Sequence, residues 1–139
     1  MNAAARAVRI LHAALAIGLS VVGGTFVFVL RGLGPSLTNT PVIGYATAGL
    51  GLANLAVVVG FFRPRIPQRR TDQAPDDYWA TNEARAAAIV IWAMVEGAGL
   101  IALVGYFLTG SVVPAAVAVL AVVTLILLRP ARLEGDGTV

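Results

Sequence analysis

Four long apolar runs separated by polar breaks set the pattern of this chain. The first extends from about Val8 to Leu30 (8–30), the second from Val42 to Phe62 (42–62), the third from Ala86 to Leu108 (86–108) and the fourth from Val112 to Leu128 (112–128). Each holds roughly 17 to 23 residues, and at 1.5 Å rise per residue a helix of that length matches the ~30 Å hydrocarbon layer of a bilayer. The pattern predicts an all-α bundle of four transmembrane helices in two up-down hairpins, forming a single integral membrane domain over 1–139. The breaks agree: GLGPSLTNTP follows Arg31, Arg63-Pro64 closes the second run, and Thr109-Gly110-Ser111 leaves room only for a tight hairpin. Pro114 falls in the first turn of the fourth helix, where a missing N–H costs little. The polar loop 63–85 contains Pro75-Asp76-Asp77, a helix-start signature, and then Tyr78 and Trp79, expected as interfacial aromatics. The tail 133–139, LEGDGTV, is expected to be mobile.

Charge adds an orientation. All ten basic residues are Arg, and nine of them fall on one side of the predicted membrane, with Arg31 alone on the other. The positive-inside rule then puts both termini and the loop 63–85 in the cytoplasm. The layout is that of a multi-pass protein of a bacterial inner (cytoplasmic) membrane. Arg6 and Arg9 resemble the basic start of a signal peptide, but the apolar run is too long and no Ala-x-Ala site closes it. A pI near 10.2 would suit nucleic acid, yet a mean hydropathy of +0.85 assigns the arginines to juxtamembrane surface instead. The expected partners are the lipid bilayer and other membrane subunits, as a homo-oligomer or larger complex, with no nucleic acid. There is no Cys and one His, His12, so thiolate chemistry, Cys-ligated metal and a bis-histidine haem within one chain are excluded. No cofactor or metal site is expected. Neither a phosphate loop nor a nucleophile beside a base is present, which argues against an enzyme.

Candidate chemistry centres on Glu96, an acid inside the third run. A charged carboxylate at that depth costs about 2.5 to 3.5 kcal/mol on insertion scales. Arg85 lies eleven residues earlier, about 16 Å along the axis and too far to pair with it. Glu96 is therefore expected to be protonated. Counting from the span ends puts Ser20 and Asn54 at a similar depth, as hydrogen-bond partners. His12 lies roughly 10 Å nearer the cytoplasm by helical rise, as a possible water-mediated relay. Recurrent small residues mark helix-packing positions: Ala16, Gly23 and Gly24 beside His12 and Ser20, Gly51 between Thr47 and Asn54, and Gly97 and Gly99 beside Glu96. The fourth run, apolar on all sides except Thr124, is expected to face lipid or a partner subunit. A 79-residue shift aligns Arg6 with Arg85, Gly18 with Gly97 and Phe28 with Phe107, a weak internal echo that does not copy the carboxylate.

Two readings stay open. In one, the chain is a non-enzymatic accessory or assembly subunit, with protonated Glu96 packing against Asn54 or Ser20. In the other, it is a proton- or cation-linked translocation component with Glu96 as the ion-binding carboxylate.

Ala93-Met94-Val95-Glu96-Gly97, followed by an apolar run to Leu108, resembles the carboxylate-bearing helix of rotary ATPase proteolipid (c-type) subunits. The preceding span, with Gly44, Gly49, Gly51 and Gly60 before Arg63-Pro64, is similar to the Gly-rich first helix and polar loop of that family. The resemblance covers at most 42–108 and implies an ion-binding role for Glu96. Four short helices with one membrane Glu also resemble, more loosely, the small multidrug transporters, which carry their Glu in the first helix.

Overall fold

The computed structural model describes residues 3–37 and 40–135, which are helical apart from short connections and contain no strand. Three helices are long and apolar enough to cross a membrane. They are α1 (Ala3–Leu33), the rod that starts as α2 (Pro41–Val57), and α4 (Asn82–Thr109). The α2 rod continues through a π-helical turn (Val58–Phe62) and a 3-10 turn (Arg63–Arg65), where the Arg65 guanidinium lies over the Phe61 ring. The fourth apolar helix, α5 (Val112–Leu127), has 16 residues. At 1.5 Å per residue that is about 24 Å, short of the ~30 Å hydrocarbon layer. Two short helices, α3 (Pro75–Ala80) and α6 (Pro130–Leu133), complete the chain.

The helix ends follow local chemistry. Gly34 and Gly110 take left-handed φ values of 72° and 64°. Their N–H groups return to Leu30 O and Tyr106 O, closing α1 and α4 as glycine caps do. Ser111 then caps α5 by accepting from the Val113 N–H, so the predicted tight hairpin forms. The predicted helix start at Pro75 opens α3, and the Asp76 carboxylate also accepts the Ala5 N–H at 3.1 Å. It thereby serves the positive end of α1, where free N–H groups favour an anion.

α4 is the centre of the bundle. α2 runs antiparallel to it in a steady register: Gly44 against Thr109, Thr47 against Gly105, Gly51 against Ala98 and Ala102, and Asn54 against Met94. α1 runs parallel to it, with His12 on Trp92, Leu19 on Gly99, Gly23 near Leu103 and Phe26 on Phe107. α5 fills the third side, with Val117 meeting Gly51 and Ala121 meeting Gly99. In lipid no water is expelled when helices pair, so close backbone approach over small residues supplies the attraction.

Several expectations change. The His12, Ala16, Ser20, Gly24 stripe does not line the bundle, because Ser20 and Gly24 are exposed. Four residues turn a helix by about 400°, so a strict four-residue spacing drifts roughly 40° per step. The face that is buried runs Ala5, Val8, His12, Leu19. Of the small residues read as packing positions, Gly51 and Gly99 sit in tight contacts, Gly23 in an ordinary one, and Ala16 packs partly buried against the core. A methyl at Gly24 or Gly97 would meet nothing. Far from facing only lipid or a partner, α5 buries Val117, Ala118, Ala121 and Leu125. Tyr78 and Trp79 lie inside the protein rather than in an exposed belt. The tail begins docked, with Leu133 and Glu134 buried; 136–139 lie outside the described residues.

Gly105 was not singled out by sequence, yet it is the tightest approach. A Cβ there would collide with the Thr47 side chain, whose hydroxyl is held by Ile43 O and Gly44 O. Gly105→Ala is expected to push α2 from α4 and cost about 1 to 3 kcal/mol, the usual range for overpacking. Gly24→Ala, with open space around it, should stay within about 0.5 kcal/mol of wild type. Unfolding of both variants in detergent micelles checks the contrast.

Candidate functional site

Glu96 sits on the flank of α4, half-buried, and among the described residues its carboxyl makes no hydrogen bond or ion pair. The helix phase explains why Asn54 does not reach it. At about 100° per residue, Ala98, Ala102 and Gly105 stand roughly 200°, 240° and 180° around the axis from Glu96. Those are the residues that α2 packs against, so α2 and Asn54 lie across α4 from the acid. Asn54 lies beside Met94, two residues before Glu96 on α4, but its Nδ2 donates 2.8 Å to Met94 O.

Ser20 is also turned elsewhere. Its hydroxyl donates to Ala16 O at 2.8 Å, and its side chain borders a groove between α1 and α5 that Glu96 does not line. The parallel register of α1 and α4 sets Ala16, not Ser20, level with Glu96. The structure therefore brings neither expected partner to the carboxyl.

The densest polar chemistry lies instead at the end of the bundle where α1 begins and α5 finishes. Arg129-Pro130 stops α5, because proline offers no N–H to continue the ladder. The last carbonyls of a helix then need donors from elsewhere. His12 supplies one: its Nε2 is 2.8 Å from Leu125 O. Since a carbonyl only accepts, that nitrogen carries a hydrogen. Trp92 supplies the second, donating from Nε1 to Leu128 O at 2.8 Å, and its ring stands edge-on to His12. His12, considered above as a relay toward Glu96, is thus turned toward α5.

Beyond α5, the chain folds through α6 and inserts Glu134. Its carboxylate accepts the Trp79 Nε1–H at 2.5 Å and lies 3.9 Å from the Arg9 guanidinium. Tyr78 stacks edge-on to Trp79 and donates from its hydroxyl to Pro67 O at 2.7 Å. Burial, and then the negative charge of Glu134, raise the Tyr78 phenol above its ordinary value. Sequence reasoning missed Glu134, since a lone acid in a short polar tail gives no periodicity. One signal was present: Pro130 guarantees orphaned carbonyls, and His12 and Trp92 are the ring N–H donors within the spans.

These groups can order helix ends and fix the C-terminal chain. They do not assemble a nucleophile beside a base, and among the described residues no cluster of three metal-ligating side chains occurs. No protein-family model matches the chain, and searches of curated proteins and of solved structures found no match.

Glu134→Ala strands the buried Trp79 N–H, and the cost expected for an unsatisfied buried donor is about 1 to 3 kcal/mol. Intrinsic Trp fluorescence during unfolding reads it. Tyr78 yields a pH dependence. A phenol whose pKa is raised on folding contributes stability that is intact below its unfolded value of about 10 and is lost as pH climbs through the folded value. Glu134→Gln removes one of the two causes, so the Tyr78 absorbance transition should move down toward, but not reach, the ordinary value.

Proposed function

We propose that the protein is a non-enzymatic subunit of a bacterial inner membrane, spanning it with four helices and with both termini cytoplasmic, and that Glu96 is a protonated contact used in assembly. The arginine bias supports that orientation, as does the meeting of the start of α1, the loop helix α3 and α6 at one end of the bundle. The observation that carries the assembly reading is the contrast between Glu96 and the Ser, Thr and Asn side chains of the apolar runs. Ser20, Thr25, Thr47, Asn54, Thr109 and Thr124 each donate to a backbone carbonyl. Glu96, the one acid within the apolar runs, has no partner for its carboxyl among the described residues, on a flank where Ala93 and Leu100 are exposed. A carboxyl in hydrocarbon gains from any acceptor a neighbouring helix offers, commonly by about 1 kcal/mol. A second copy or another membrane subunit is the source that fits.

The competing reading, proton- or cation-linked translocation in the manner of the proteolipid resemblance, is favoured by the same half-exposed carboxyl being reachable from outside the bundle. Substitution separates the two. Glu96→Gln keeps shape and hydrogen bonding but cannot titrate, so assembly should persist, whereas Glu96→Leu should dissociate the complex on native gels. The Cys-free chain allows Ala93→Cys and Leu100→Cys to be cross-linked singly; adducts from both positions, lost with Glu96→Leu, are expected. If Glu96→Leu leaves the assembled size unchanged, the assembly reading fails. Labelling by a hydrophobic carbodiimide that falls steeply with rising pH or with one cation, and an ion flux abolished by Glu96→Gln, would establish translocation instead.

A further inference from the structure

A groove of about 280 Å³ opens between α1, α4 and α5. α1 contributes Ser20, Gly24 and Val27, and the opposite walls include Leu103, Tyr106 and Val119. The Ser20 hydroxyl is already spent on Ala16 O, so the walls present little but hydrocarbon. Ser20, Gly24, Val27 and Val119 are exposed, which makes this a channel open to the bundle surface rather than a sealed cavity.

Arg31 lies in line with it. Relative to Ser20, Gly24, Val27 and Arg31 stand at about +40°, −20° and +20° around the α1 axis, so Arg31 stands on the same face of α1 as the groove wall, one turn beyond Val27 and outside the groove's own lining. From Ser20 to Arg31 is about 16 Å by helical rise, close to one leaflet, half of the ~30 Å hydrocarbon layer.

Arg31 also lacks a counter-ion. The six acids among the described residues are Asp72, Asp76, Asp77 and Glu83 in or next to the polar loop, Glu96 in mid-helix and Glu134 in the docked tail. None is near the end of the bundle that holds Arg31, and among the described residues it forms no ion pair. An anion from outside the chain is the available partner, and the apolar groove beneath specifies what that anion is attached to.

We infer that this groove binds one anionic phospholipid, with an acyl chain lying along Ser20, Gly24 and Val27 and the phosphate held by Arg31. An anionic rather than zwitterionic lipid follows from the charge left uncompensated. A helix of a second copy, about 10 Å across, is too wide for a groove of this volume. The inference rests on the chain being embedded in a membrane and is independent of any role for Glu96.

The test uses the full chain in detergent, with phosphatidylglycerol and phosphatidylcholine as probes and native mass spectrometry as the readout. Wild type should retain one phosphatidylglycerol per chain in preference to phosphatidylcholine. Arg31→Gln should cut the phosphatidylglycerol affinity about fivefold, as expected for one interfacial arginine, and abolish the preference. Gly24→Leu, at a position where an added Cβ meets nothing, should fill the groove and weaken both lipids. Unchanged preference in Arg31→Gln, or undiminished retention in Gly24→Leu, overturns the inference. A dimer of wild type that Gly24→Leu dissolves overturns it too, by assigning the groove to a second copy. A chain that stays dispersed in water without detergent would instead remove the membrane reading itself, a result separable from weak lipid retention in micelles.

Discussion

Backbone approach along α4 is the constraint from which the rest of the structure follows, because helices in lipid gain nothing from expelling water and must gain it from contact. Ala98, Gly99, Ala102 and Gly105 give α4 an almost side-chain-free surface. α2 closes onto Ala98, Ala102 and Gly105, while Leu19 of α1 and Ala121 of α5 reach Gly99. Once these contacts are set, the register of every other pair is set with them. The position of Glu96 follows as well: it belongs to the same helix but points to the flank that the close contacts leave over.

Polar groups near the helix ends obey a second rule, that a buried backbone carbonyl must find a donor. α5 is cut short at Arg129-Pro130, and two aromatic rings from different helices, His12 and Trp92, answer its last carbonyls. Asp76 does the converse at the start of α1. Glu134 and Trp79 then tie the emerging chain back to the bundle. The result is an end of the molecule fixed by directional bonds, beside a middle fixed by dispersion.

The two ends of the bundle differ in what they still lack. At the end where α1 begins and α6 lies, Glu134 is met by Trp79 and Arg9, and Asp76 by the start of α1. At the other, Arg31 has no acid nearby among the described residues, and in the middle Glu96 has no donor or acceptor among them. Both lie at the bundle surface, where lipid or another subunit can complete them.

The sequence by itself determined the class of molecule and the main helices, since apolar run length, proline and glycine act locally. Gly110, Ser111, Pro75 and Pro130 mark boundaries because each restricts the backbone where it stands. A count of residues along each run also put Asn54 near the level of Glu96, though the same count set Ser20 there and the register of α1 and α4 puts Ala16 in its place. Which way each side chain points was decided by tertiary structure. A helix presents every direction within a single turn, and only the choice of neighbours selects the buried one. Hence Asn54 and Glu96 share a level and face apart, Ser20 turns to a groove, and Tyr78, Trp79 and Glu134 are buried where a local reading left them outside. For Glu96, the sequence established that an acid lies within the apolar run; the packing of α2, α5 and α1 on the opposite and adjacent faces of α4 decided that the described residues leave it unpartnered.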